Sequence, residues 1–279
     1  MKKIILFVTA AIFISTGIFA QNISSLNLKK GQKYLVENKV STKSSTEMQG
    51  QTMEANADVT STYSIEVKDM VDNNYNLTNT VTTVKINMSQ MGQEMNFDSE
   101  KKEDTDGPIG AALKDYIKQP KVVVVDKSGK VIPQKKDEKP NETNVIAKQL
   151  GNFEATGYGA DMTFESLPQN AKVGSTWATK KDNDGISKST NYLIKEINGN
   201  IATVTFTGDI AADTKMENQG MEITTKTTGK FSGEEKVDII TGVIQSNTST
   251  ADASGTIGVM GQDLPTSSKV TSSTTVKVM

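Results

Sequence analysis

The 279-residue chain has no cysteine and no histidine, and all 31 of its basic residues are lysine. Without cysteine there is no disulfide, thiolate nucleophile, sulfur-ligated zinc site or lipid-bearing cysteine. Without histidine the Ser-His-acid and Cys-His nucleophile systems are closed, and the commonest transition-metal ligand is missing. Without arginine no side chain can grip a phosphate or carboxylate through a planar two-point fork. Aromatic residues make up 5% of the chain, with a single Trp. Hydrophobic residues amount to 35%, so a core must come from thin, one-sided layers.

The first residues have the order of a secretory signal peptide. Lys2 and Lys3 form a basic end, Ile4 to Ile14 is an apolar run broken only by Thr9, and Ala20 precedes Gln21. Cleavage after residue 20 is expected, with export to the periplasm or the cell exterior. Read as an uncleaved anchor, the same run is only marginally long enough to cross a bilayer. Loss of Lys2 and Lys3 from the 31 lysines leaves 29 against 33 acids. Nothing there favours nucleic acid, which needs a concentrated basic face. No second long apolar segment follows, so the exported chain is not expected to be an integral membrane protein.

What remains is rich in Thr, Ser, Val and Ile, and it alternates. Val59, Tyr63, Ile65 and Val67 share one parity, with Thr60, Thr62, Ser64 and Lys68 between them. Tyr34, Val36 and Val40 behave alike, as do Val204 with Phe206 and Val276 with Val278. Period two with one polar face predicts antiparallel sheet, wet on one side. Asp72-Asn73-Asn74 and Asn198-Gly199-Asn200 are hairpin signals. Gly-Gln pairs mark further turns at 49–51, 92–93, 219–220 and 261–262. Asp126-Lys127-Ser128-Gly129 predicts a tight hairpin between Val122–Val125 and Val131-Ile132, and the four-Val run reads as a strand buried on both faces.

Two segments have helical spacing. Pro108 opens the first, Ile109, Ala112, Leu113, Tyr116 and Ile117 recur along it, and Pro120 stops it, giving a helix over 108–118. A shorter one is expected over 141–150, ending at Gly151. Residues 134–140 between them carry charge and no large apolar side chain. The flanking halves echo one another. Gly31-Gln32-Lys33-Tyr34 matches Gly174-Ser175-Thr176-Trp177, and Asp126 to Ile132 matches Asp238 to Ile244 with a one-residue slip. The expected plan is a signal peptide at 1–20 and a first β repeat at 21–133. A charged linker with a short helix at 134–170 and a second β repeat at 171–279 follow. The predicted fold class is all-β: two tandem similar halves of long antiparallel strands, forming a curved sheet, half-barrel or sandwich, with one or two short helices. Each half would leave an apolar face that it cannot cover alone.

The export signal ending Ala20-Gln21, the opening Gly31-x-x-Tyr34, the Met91-Gly92-Gln93 hairpin followed by Phe97-Asp98-Ser99, and the later Val237-Asp238-x-x-Thr241-Gly242 element together resemble an uncharacterised family of secreted proteins from Bacteroidota, known only as a domain of unknown function. The resemblance covers nearly all of the exported chain and implies a compartment without an activity. A looser likeness, of architecture and not of motif, is to periplasmic lipid and lipoprotein carriers, incomplete barrels with a helix in the concave face.

Few constellations carry chemistry. Met48, Met53, Met88, Met91, Met95, Met216, Met221 and Met260 cluster beside the Gly-Gln turns. Thioethers can select Cu(I), but methionine also fills irregular gaps at strand ends, and packing is the expected role. By strand parity Met91 and Met95 share a face and Met88 lies opposite. Asp104-Thr105-Asp106-Gly107 and Asp182-Asn183-Asp184-Gly185 miss the ligand pattern of a calcium loop and read as turns. Ser99-x-x-Lys102 has the spacing of a Ser-Lys nucleophile but sits in a charged run that cannot lower the lysine's pKa. Gly229-Lys230 lacks the rest of a phosphate loop. A membrane-spanning barrel would alternate similarly but calls for aromatic girdles.

No catalytic, cofactor-binding or metal-binding residue is therefore assigned. The expected function is that of an exported, non-catalytic binding or carrier module for an apolar ligand, such as a lipid or lipid-modified chain, with the 108–118 helix as plug or lid. The rival is a structural or interaction protein of the envelope, with an envelope protein as partner, a fully packed core and no ligand cavity. A hydrolase comes third.

Overall fold

The computed structural model describes residues 25–132 and 157–279, except positions 49, 91, 184, 219, 220 and 260. The signal peptide at 1–20, the linker at 134–140 and the helix at 141–150 lie outside the described residues, as do Met91 and Met260.

The all-β expectation holds. Twelve strands form one open, curved antiparallel sheet. They are β1 (Lys33–Met48), β2 (Gln51–Val71), β3 (Asn74–Gln90), β4 (Gln93–Asp98), β5 (Lys121–Val125), β6 (Val131–Ile132), β7 (Thr176–Asn183), β8 (Ile186–Asn198), β9 (Ile201–Asn218), β10 (Met221–Asp238), β11 (Ile244–Val259) and β12 (Gln262–Val278). The order is β6-β5-β3-β2-β1-β12-β11-β10-β9-β8-β7, with β4 paired to the far end of β3. The two similar sheets expected from the sequence are thus one. They merge where β1 pairs with β12, from Tyr34 opposite Val278 to Thr46 opposite Thr266. Of the three predicted forms the curved sheet is the one observed.

The sheet is two-faced, as the alternation requires. Tyr34, Val36, Tyr63, Ile65, Val67, Leu77, Val81, Val84, Ile86, Val204 and Val237 are buried on the inner face. Residues between them, such as Lys39, Glu54, Asp58 and Lys68, are exposed on the outer face. A bulge between Thr62 and Tyr63 on β2, opposite Val81 to Thr83 on β3, resets the parity of β3. This is why Val81 and Val84, an odd distance apart, both face inward. The four-Val run does not behave as predicted. Val123 and Val125 are buried, but Val122 is 64% exposed. β5 pairs along β3 in the same two-faced sheet, and Val122 falls on its outer face, opposite Thr78.

Short elements fill the inner face near the base. The predicted 108–118 helix is present in reduced form. A turn of helix α1 (Lys102–Thr105) precedes α2 (Pro108–Leu113), and Tyr116 and Ile117 continue inward as a last turn, both donating to Leu113 O at 3.0 Å. Leu113 is fully buried, and the Lys118 N–H donates to Val81 O at 2.7 Å. Residues 157–168, at the end of the stretch read as linker and helix, form a strap across the base, with Tyr158, Ala160, Phe164 and Leu167 buried. The Phe164 ring stands edge-on to Tyr34 at 5.4 Å.

The strap sets the curvature. Glu165 N–H donates to Gly242 O beyond β10, while its neighbour Ser166 donates to Ser128 O beyond β5. The N-terminal segment repeats the pattern: Leu26 donates to Lys127 O and Asn27 to Thr241 O. β5 and β10 stand six strand spacings apart in the sheet order, about 29 Å if the sheet were flat. Adjacent residues can reach both loops only if the sheet curls until its base nearly closes. The two loops are built alike. Asp126 Oδ1 accepts from Ser128 and Lys130 N–H, and Asp238 Oδ1 from Ile240 and Thr241 N–H, at 2.8–3.0 Å.

Candidate functional site

Antiparallel pairing places the β1–β2, β3–β4, β7–β8, β9–β10 and β11–β12 turns at one end, opposite the strapped base. Towards this end the inner face carries small side chains. Ser44, Ala55, Ala57, Gly229, Ala251, Ala253 and Ser268 all lie half-buried there, with Met53, Ile257 and Leu264 nearer the rim. None of these belongs to either buried core. The outer face at the same height carries Lys43, Glu54, Asp252 and Lys269. A shallow groove of about 740 Å³ crosses β2, β1, β12 and β11, lined by these four charges and by serines. It is polar, unlike an acyl-chain hollow.

Between the packed base and the open end lies a polar cluster that parity reasoning about single motifs does not reveal. Glu235 on β10 faces inward between Gly233 and Val237 and is only 3% exposed. Asn247 on β11 donates to its Oε2 at 3.0 Å, and its Oε1 has no partner. Burial raises Glu235 to a pKa of about 8, reinforced by Glu165 on the strap. Glu165 is itself raised by burial, against the pull of Lys181 and Lys188. Asp161, whose side chain reaches solvent, is pushed up by the enclosing wall and held back by the same two lysines. Lys181 on β7 and Lys188 on β8 are directly opposed inner-face neighbours. Lys188 is lowered by enclosure first and by Lys181 second.

The wall beside this cluster is aromatic. Trp177 stacks on Tyr192 at 4.8 Å, Tyr192 neighbours Phe206 at 6.1 Å, and Phe206 neighbours Phe231 at 6.3 Å. Lys188 Nζ lies 4.5 Å from the Phe231 centroid. Two interior glycines make room for the rings. Phe206 pairs with Gly233 and Phe231 with Gly208, and a Cβ at either glycine would run into the opposing ring. Glycine inside a strand here marks close approach, not weakness.

The motifs weighed from the sequence find structural roles. Ser99 is buried, and its Oγ accepts the Val84 N–H at 2.9 Å. Lys102 is exposed in α1, so the pair has no nucleophile geometry. Asp104 Oδ2 accepts the Asp98 N–H at 2.8 Å, fastening α1 to β4. Asp182 and Asn183 end β7 at its hairpin. Met88 and Met95 face each other across β3 and β4, contrary to the expected opposite faces, because the intervening turn breaks strand parity. Met48 and Met95 are partly exposed, and Met216 and Met221 lie at the tip ends of β9 and β10. Among the described residues no acidic group of three or more is placed to hold a metal, and no helix is long and apolar enough to cross a membrane.

The sequence profile of a family of unknown function, DUF6263, matches residues 72–244. The chain belongs to this family. The match runs from the β2–β3 turn to the start of β11 and takes in Asp161, Glu165, Lys181, Lys188 and Glu235. No curated protein matches the chain. Among solved structures, lipovitellin, studied for its lipid–protein interactions, is similar at 14% identity with a TM-score of 0.48, over 91% of this chain and 25% of its own. An outer-membrane channel from Pseudomonas putida F1 is similar at 9% identity and a TM-score of 0.27, over 91% and 98% of the two chains. The translocator domain of the autotransporter NalP from Neisseria meningitidis follows at 5% identity and a TM-score of 0.21, over 89% of each. The chain thus spans about a quarter of the lipovitellin chain.

Proposed function

We propose that the protein is an exported, non-catalytic binding or carrier module whose open inner face takes an apolar ligand, a lipid or lipid-modified chain. One observation carries this reading. Beyond the strapped base the inner face offers small and apolar side chains that neither core covers, on strands whose outer face is charged. From Val40 to Met48 the β1 strand runs about 26 Å, longer than the ~15 Å of one leaflet's hydrocarbon. An extended acyl chain therefore fits along the strands, shielded on one side and in no need of an enclosed cavity. Each Å² of apolar surface it buries contributes roughly 25 cal/mol before the costs of association. The helical segment at 102–117 plugs the base and leaves the tip end clear. The charged outer face suits water and not hydrocarbon, in keeping with a protein that does not span the membrane. The absence of His, Cys and Arg and the structural use of Ser99 support a non-catalytic role.

Organic extraction of the protein purified from its native compartment, followed by mass spectrometry, should release lipid in stoichiometric amount. The purified protein should also bind a fluorescent fatty-acid probe that added lipid displaces. Empty extracts together with an unbound probe would overturn the carrier reading and favour the packed envelope protein.

A further inference from the structure

We propose that the polar cluster at the floor of the open inner face binds a primary ammonium group carried on an apolar tail, with Glu235 as its acceptor. This rests on the carrier reading and names the chemistry of the ligand's head. The floor carries an unmet hydrogen bond. Glu165 and Glu235 share this floor with two lysines, Lys181 and Lys188, and Asp161 lies exposed at its margin. Lys188 bears on Glu235 too, so what is missing is a hydrogen-bond donor at Glu235. Its Oε1 is buried without a donor while its Oε2 is held by Asn247. A buried acceptor left unmade is costly and marks a position that an N–H donor would complete. The aromatic wall agrees. Phe231 already receives the Lys188 ammonium at 4.5 Å. Phe206 stands opposite Gly233, two residues from Glu235 on the same face, so a ring and a carboxyl lie side by side as an ammonium requires. When the charged amine arrives, the proton that Glu235 holds leaves to solvent, and the new pair is neutral.

Trp177, the chain's single Trp, stacks in this wall and reports on it. The test titrates the full exported chain with dodecylammonium, dodecyltrimethylammonium, dodecanol and ethylammonium below their aggregation concentrations, reading Trp177 fluorescence and heat. Dodecylammonium should bind about tenfold tighter than dodecanol and release one proton near pH 7, seen as a buffer-dependent heat. Glu235→Gln should erase that margin and the proton release. Equal binding of all three tailed probes, or no response to Glu235→Gln, would overturn the ammonium site and leave the apolar carrier standing. Ethylammonium binding as tightly as dodecylammonium would overturn the tailed ligand in favour of a small soluble amine. Binding of none of the four would defeat both readings. Asn247→Ala, which keeps the carboxyl, should weaken dodecylammonium less than Glu235→Gln does; the reverse order would also count against the assignment.

Discussion

Replacing Glu235 with Gln should change stability in opposite directions at low and at neutral pH. The unfolded chain loses the Glu235 proton near 4.5, while the folded protein keeps it to about 8. Between those values the folded state binds more protons than the unfolded one, so stability is full below about pH 4.5 and falls as pH rises towards 8. At about 1.4 kcal/mol for each tenfold change in proton activity, the penalty reaches a ceiling of about 3 kcal/mol at pH 7. Part of that belongs to the neighbouring Glu165, and about 2 kcal/mol is a fair share for Glu235 alone. Gln removes this penalty but buries an amide N–H where Oε1 has no partner, at a cost of about 1 kcal/mol. The variant should therefore be about 1 kcal/mol more stable than wild type at pH 7 and about 1 kcal/mol less stable at pH 4.5. For a chain of this size that is roughly 2–4 °C in melting temperature either way. Paired thermal melts every half pH unit from 4 to 8 would show the difference changing sign. A difference that stays constant with pH would mean that Glu235 titrates normally. One that grows more unfavourable towards pH 8 would mean that it is ionised and paired with Lys188. Either result refutes the reasoning.

Two further perturbations probe the scaffold. Leu113→Ala removes a fully buried anchor of α2 and should cost about 2–5 kcal/mol in urea unfolding; a loss below about 1 kcal/mol would show that the helical segment is not wedged into the base. Asp238→Ala deprives the Ile240 and Thr241 N–H groups of their acceptor and should cost about 1–3 kcal/mol. Hydrogen exchange should then quicken at Asn27 and Glu165, which bond to this loop. It should stay slow at Leu26 and Ser166, which bond to the other, and uniform quickening of all four would contradict independent tethers.

Much of the sheet was legible because its energetics are local. The inward parity of Val59, Tyr63, Ile65 and Val67 and the turn chemistry of Asp72-Asn73 and Gly199 fix strands and hairpins without reference to distant residues. What the sequence concealed was relational. Nothing near Val122 says that its face of β5 stays in water. Nothing near Met88 says that it will pair with Met95 across β3 and β4. The strap at 157–168 has no periodicity at all, since its backbone bonds go to loops far away in sequence. The Glu235 cluster did leave a trace. Glu235 shares the parity of Phe231, Gly233 and Val237, and Lys188 that of Ile186 and Tyr192. A charge at an inward position is expensive unless something uses it. Reading each strand for the residue that breaks its pattern would have found both.

The paired tethers have a mechanical corollary. Among the described residues they fasten the sheet at its base, so the circumference is held there and free at the opposite lip. Strand twist can relax there, widening or narrowing the mouth without breaking a single tether bond. The dimension of what enters is then governed by how far the lip splays, and the same twelve strands can admit guests of unequal girth.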